Sequence, residues 1–299
     1  MSALVLKSGN ALNAGIESLD MTAYRYRVER DGGYVVDAAQ VMAAYDFLKQ
    51  NGIDKNQVFS ATSARWGVKV VGGKPVKLYN LFDESGDIDV VVAYPAAIAF
   101  NETSYTHPVI EMRGRADNGL TSKGTVSGAN STGLCVIARV PNVTGVAAGT
   151  LAEMSVLTTS ANTTELVAKR HLVTNTVKNS GAVDTTGWSH SALGYGSTYN
   201  SGATSAKNLD RMTDATAFIS ATRGALYNDG VLTSGSAITA NNPIKDNLSL
   251  TIGRAKNLTA PASIVWSTPI WADIVEVWSL VNITESNMQA LSARAASVY

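Results

Sequence analysis

A chain of 299 residues with 24 basic and 24 acidic side chains carries no formal net charge, so it exerts no long-range pull on nucleic acid or on an anionic membrane. Only 16% of the residues are charged and 45% are hydrophobic, which excludes a disordered or polybasic protein and leaves a packed one with an uncharged-polar surface. The single cysteine, Cys135, lies in the apolar run 134–140. It excludes an internal disulfide and a cysteine-based metal site, and reads as a small buried hydrophobe.

In chain order, the opening Met1–Lys7 is too short for a signal peptide. No stretch approaches the roughly 20 apolar residues of a membrane span, so no membrane insertion is expected. Tyr24–Val28 alternates and predicts a short strand, and Asp31-Gly32-Gly33 marks a turn. Asp37 then caps a helix over Ala38–Gln50, with Val41, Tyr45 and Leu48 on one face and Asn51-Gly52 as its stop.

From about residue 66 short apolar runs alternate with Gly, Asn, Ser and Thr clusters: 68–71, 76–82, 88–94, 109–113, 134–140, 154–158, 166–173, 217–223, 225–227, 231–233, 248–252 and 274–280. That pattern predicts an antiparallel β-sandwich or barrel. Asp229-Gly230 suits a type I′ hairpin turn, since both positions accept positive φ. Leu248, Leu250 and Ile252 alternate as in a half-buried strand, and Ala272–Leu280 is apolar on both faces, as in a central strand. Thr284 caps a final helix over Glu285–Ala296 with Met288 and Leu291 facing inward. The expected division is a small α/β region at 1–65, serving attachment or self-association, and a β-sandwich at 66–299.

Residues 179–207 fit neither a period of 2 nor one of 3.6 and are expected to form a long loop. Trp188, His190, Tyr195 and Tyr199 are spaced through it among Ser, Thr and Asn. Aromatic faces with polar neighbours are the parts of a carbohydrate-binding site. The other role for such rings is to anchor the segment on the sandwich or on a neighbouring subunit. Trp66, Trp266, Trp271 and Trp278 lie in apolar contexts and read as core or interface.

Three segments carry a family resemblance. Tyr227-Asn228-Asp229-Gly230-Val231, Leu250-Thr251-Ile252-Gly253-Arg254, and Ala272–Trp278 followed by Ile283–Met288 resemble, in that order, the closing part of concanavalin A-like and laminin-G-like jelly rolls. Upstream, Asp31–Asp37, a helix, Asn51-Gly52, Arg65–Lys69 and Lys77–Leu81 resemble the leader of tailed-bacteriophage virion proteins of tail-fibre, baseplate or capsid-surface type. The resemblance implies a structural virion protein made in the bacterial host cytoplasm. Its expected partners are copies of itself (trimers are frequent in such fibres), other virion proteins, and host surface polysaccharide contacted by the lectin-like domain. The alternative it leaves is capsid decoration or a tail role without sugar binding. Residues 100–215 match neither family.

The sequence carries few patterns of catalytic or metal-binding chemistry. Concanavalin-like glucanases place Glu-x-Asp-x-x-Glu on one strand. Here Asp273-Ile274-Val275-Glu276 keeps the last four positions but Trp271 stands where the first Glu belongs. Residues three apart on a regular strand also face opposite ways. The chain is therefore expected to be no enzyme, with glycan degradation as a third reading. Asp83, Glu84, Asp87 and Asp89 lack calcium-loop spacing and read as a solvated turn. His107, His171 and His190 form no metal-ligand pair. Gly187-Trp188-Ser189-His190-Ser191 is no nucleophile elbow, and Gly194-Tyr195-Gly196 precedes no helix, so no cofactor is expected.

Overall fold

The computed structural model describes residues 18–91, 95–102, 106–113, 118–125, 129–139, 149–158, 170–177, 186–194, 197–202, 211–220, 222–237, 248–252, 254–256, 265–267 and 271–299. The first element is a helix, α1 (Leu19–Arg30), where alternation predicts a strand. Ser18 caps it by accepting from the Met21 N–H, and Met21, Tyr24 and Val28 are buried. Those three repeat at helical spacing, so the Tyr-Arg alternation merely samples two sides of a helix. β1 (Tyr34–Val35) leads to α2 (Ala38–Gln50), which has the expected bounds. The Asp37 carboxylate accepts from the N–H groups of Ala39 and Gln40, and Gly52 leaves the helix at φ 63°.

Nineteen further strands follow among the described residues: β2 (Val58–Ser63), β3 (Gly67–Val71), β4 (Lys74–Leu78), β5 (Ile88–Val91), β6 (Ile98–Asn101), β7 (Val109–Arg113), β8 (Gly119–Ser122), β9 (Ser131–Arg139), β10 (Gly149–Thr158), β11 (Arg170–Val177), β12 (Thr186–Gly194), β13 (Ser197–Gly202), β14 (Met212–Ser220), β15 (Arg223–Asn228), β16 (Val231–Ala237), β17 (Leu248–Ile252), β18 (Arg254–Lys256), β19 (Val265–Ser267) and β20 (Trp271–Val281). The chain closes with α3 (Glu285–Val298), capped by a Thr284/Asn287 box. The Asp229-Gly230 turn between β15 and β16 has φ of 51° and 78°, as a type I′ hairpin requires.

The strands pair antiparallel into two large sheets. One runs β1-β3-β4-β5-β8-β17-β10-β11-β12-β13; the other runs β16-β15-β14-β9-β20-β7-β6, with β2 also pairing β20. Alternation along β9 sorts the layers. Leu134, Val136 and Ala138 join Val68, Leu78, Ile88, Leu120, Leu250 and Ile252 of the first sheet in an aliphatic core between the sheets. Cys135 and Ile137 face the other way, with Trp278 and Leu280, and are covered by Met21, Tyr24 and Val28 of α1, Val41 and Leu48 of α2, and Met288 and Leu291 of α3. The architecture is thus an antiparallel β-sandwich with a helical layer on the outer face of its second sheet.

The expected division at residue 65 is crossed by this packing. β2 pairs β20 from Val58–Leu280 to Ser63–Glu276, and α1 and α2 share one core with Trp278 and Met288. All six residues of β2 are buried, Ser60, Thr62 and Ser63 among them, so its polar composition hides a core strand.

Candidate functional site

Within the segment expected as a long loop, the described residues 186–194 and 197–202 form strands. Trp188 and His190 lie on β12 and Tyr199 on β13, paired antiparallel with His190 opposite Ser201 and Ala192 opposite Tyr199. β13 is the terminal strand of the ten-stranded sheet. Tyr195 lies outside the described residues. The register carries face identity across the sheet: Ile252 is opposite Met154, Met154 opposite Val173, and Val173 opposite His190. Positions 190 and 199 therefore share the sheet face that bears Leu250 and Ile252. Trp188 lies beside a register break, between the Thr174–Ser189 and Thr176–Thr186 pairs. The aperiodic look of this stretch has a physical source, because a bulge resets the alternation that would reveal a strand.

A second concentration of chemistry lies on the helix-covered face of the other sheet. Asp273 pairs with Arg139, and Glu276 pairs with Ile137, because the register shifts between Ile274 and Glu276. Arg139 and Ile137 are two apart on β9, so this bulge brings Asp273 and Glu276 onto one face, correcting the expectation that they oppose. Both are fully buried. Glu276 accepts from Arg294 Nη1 at 2.8 Å, from Arg294 Nη2 at 3.3 Å, from Trp278 Nε1 at 2.9 Å and from the Tyr299 hydroxyl. Burial alone would raise the Glu276 carboxyl, but Arg294, Tyr299 and Trp278 together hold it below its ordinary value. Asp273 faces Arg113 at 2.6 Å and Arg139 at 4.0 Å. Two carboxylates held this way, out of water and against guanidinium groups, are structural ion pairs.

Around this pair lie the Tyr299 ring, His107 with ring centroids 4.9 Å apart, and the Arg65 guanidinium 5.4 Å from the Tyr299 centroid. Burial lowers the His107 pKa, and Arg65 adds to the effect. Asp214 on β14 is also buried here. Its carboxylate accepts from Thr216 Oγ1 at 2.5 Å and from the Asp229 N–H at 2.6 Å. With no cation on it, burial pushes its pKa up to about 6, against those hydrogen bonds and one from Ser292. Sequence reading missed Arg294, Tyr299 and Asp214. The available signal was Glu276 itself, since a carboxylate within an otherwise apolar central strand demands a cation from whatever packs on it.

Two cavities accompany these groups. One of about 270 Å³ is lined by Ile137, Arg211, Met212, Thr213, Asp229, Ala295, Ala296 and Tyr299. Another, of about 160 Å³, lies among Arg27, Arg30, Asp31, Lys77, Tyr79, Glu84, Asp87 and Lys123. In the second, Arg27–Asp87 (2.8 Å), Lys77–Asp31 (2.8 Å) and Lys123–Glu84 (3.0 Å) pair the charges internally. The acidic cluster thus differs from a fully solvated turn: Asp87 is buried, accepting from Arg27 and the Asn80 N–H, while Asp83 accepts from the Ser85 and Gly86 N–H groups. Among the described residues no three His, Cys, Asp or Glu side chains converge as a metal set. No helix among them is long and apolar enough to cross a membrane.

No family model matches the sequence, and no curated protein does. Solved structures do match the fold. A GH54 α-L-arabinofuranosidase soaked with a cyclic sulfate inhibitor superposes with a TM-score of 0.51 at 8% identity, covering 84% of this chain and 64% of that one. An arabinofuranosidase complexed with arabinofuranosyl-α-1,2-xylobiose gives 0.50 at 9%, with the same coverage. A heptameric SAP-like pentraxin from Limulus polyphemus gives 0.42 at 10% identity, over 67% of this chain and 80% of its own. The chain therefore spans a little under two thirds of the arabinofuranosidases it matches. This likeness overturns the expectation that the chain is no enzyme: glycoside hydrolases carry this fold, so the broken Glu-x-Asp-x-x-Glu strand does not exclude catalysis. At such identity the likeness shows the fold alone, and this chain has the fold of a two-sheet antiparallel β-sandwich.

Proposed function

We propose that this protein is a glycan-contacting β-sandwich of a bacteriophage virion, presented for attachment to host surface polysaccharide and assembled with copies of itself and with other virion proteins. The observation that carries the glycan part is the gathering of Trp188, His190 and Tyr199 onto one hairpin at the end of the ten-stranded sheet. An arabinofuranosidase of similar fold, solved in complex with arabinofuranosyl-α-1,2-xylobiose, is consistent with a glycan ligand. The virion part rests on the resemblance of residues 31–81 to the leader of phage virion proteins, and the lectin-like part on the resemblance of residues 227–291 to concanavalin A-like and laminin-G-like jelly rolls.

The test is retention of the purified chain on a panel of bacterial surface polysaccharides, comparing wild type with Trp188→Ala and Tyr199→Ala. The proposal expects both variants to lose retention at an unchanged melting temperature. Because positions 190 and 199 share a face with the buried Leu250 and Ile252, a packing role makes the opposite forecast of a lowered melting temperature with retention intact, and that result would remove the hairpin as a binding site. Reducing ends are assayed in the same reactions. Their release would move the chain to the reading its structural neighbours favour, a glycan-degrading enzyme.

A further inference from the structure

A sheet leaves a row of N–H and C=O groups open along each terminal strand, and proteins close such edges with short strands, charges, proline or a covering segment. The second sheet ends in β6 on one side and β16 on the other. β6 is closed in this way: it has four residues, all buried or half-buried, and Lys74 Nζ donates to the Ile98 carbonyl at 3.1 Å. β1, at an end of the first sheet, is only two residues long.

β16 is different. It runs seven residues, Val231–Ala237, without a charge or a proline, and among the described residues its one strand neighbour is β15. Val231 is 63% and Leu232 45% exposed, and Thr233, Gly235 and Ala237 are exposed as well. The register with β15 shifts once, at Thr233, and runs unbroken from Ser234 to Ala237. Arg223, opposite Ala237, does not guard the edge. Its guanidinium lies against Gly235 and is held by both Glu285 oxygens at 3.1 Å.

An exposed, uncharged edge accepts an added antiparallel strand. A charged partner strand finds no counter-charge here, whereas a second β16 opposes no like charges and meets its own small side chains, as a two-fold contact requires. The first sheet ends on the same side, since β13 packs on β15 and β16 across the sandwich, and β13 is also uncharged. Seven paired residues alone bury less than the roughly 1,000 Å² of a stable interface, and the adjoining β13 edges extend the contact toward that size.

We infer that β16 pairs antiparallel with β16 of a second copy of this chain, joining their two eight-stranded sheets into one and setting the two β13 edges side by side. This gives a surface to the self-assembly proposed above and rests on that part of the reading. It does not depend on glycan binding.

The experiment is analytical ultracentrifugation of the full chain from low to high micromolar concentration, with hydrogen–deuterium exchange read at both ends of that range. A reversible dimer is expected, with the amides of Val231–Ala237 exchanging more slowly at high concentration and those of β6 unchanged. The double variant Val231→Lys/Leu232→Lys puts like charges at two exposed positions of each copy. It should weaken the dimer about tenfold and leave the melting temperature of the dilute protein unchanged. If that variant fails to fold, the exchange measurement on the wild type decides alone. A dimer whose β16 amides exchange at the same rate at every concentration overturns the edge contact and leaves self-assembly standing. Slowed exchange confined to α1, where Leu19 and Tyr26 are exposed, does the same. A chain that stays monomeric throughout overturns both the inference and the self-assembly part of the reading.

Discussion

The two faces of β20 lie in different chemistry. Toward the first sheet, Ala272, Ile274, Val277 and Val281 meet a mostly aliphatic layer in which, among the described residues, Phe59 and the partly buried Phe100 are the aromatic ones. Toward the helices, Trp278 sits in a layer with Trp66, Tyr24, Tyr79, Tyr227 and Phe218, and Glu276 and Asp273 hold their arginines. Trp66 and Trp278 meet edge to face with centroids 5.3 Å apart. Sheets stack at a regular spacing that small branched side chains fill. Helices laid on a sheet leave uneven gaps, which large rings and paired polar groups fill. The helical layer also approaches closely: a Cβ on Gly133 would come within 2.2 Å of Met288 Sδ.

The sharpest contrast comes from one substitution on each side. Arg294→Ala strands a buried carboxylate and should cost about 3–5 kcal/mol, whereas replacing Arg294 and Glu276 together by Met should recover most of that loss. Leu134→Ala on the aliphatic side opens a cavity and should cost about 2–5 kcal/mol, with no polar partner able to rescue it. Chemical denaturation of the four proteins measures this. Equal losses in the single and double helix-side variants would refute the ion-pair account.

A smaller effect concerns Asp214. Its folded pKa of about 6 lies above the ordinary carboxylate value of 3.8, so the native state binds the proton more tightly than the unfolded chain. Stability from this group is then greatest below about pH 4, falls as pH rises through about 6, and is level above, a change of about 3 kcal/mol. Glu276 has the opposite sign, since its lowered pKa makes its contribution disappear as pH falls. Asp214→Asn should therefore flatten the decline between pH 4 and 7 and leave the acid limb in place. Parallel stability curves for the two proteins would contradict the assignment.

Much of the sandwich was legible because its signals are local. Asp37 and Thr284 announce helices, Asp229-Gly230 announces a hairpin, and Leu248–Ile252 alternates without interruption. What stayed hidden depends on partners far away in sequence. Tyr24–Val28 reads as a strand until Met21 is seen to complete a helical face. β2 buries Ser60, Thr62 and Ser63 along with its apolar residues, so it does not read as a core strand. The bulge in β20 that puts Asp273 and Glu276 on one face, and the break beside Trp188, arise from pairing with β9 and β11. The candidate site was legible as residue types, Trp188, His190 and Tyr199, but not as a hairpin.

The most direct measurement of the functional account is equilibrium retention of the full chain on immobilised bacterial surface polysaccharide, with free polysaccharide as competitor. The account predicts saturable retention that free polysaccharide displaces. Retention no greater than that of a charge-matched β-sandwich of unrelated function, on every polysaccharide in the panel, would contradict it.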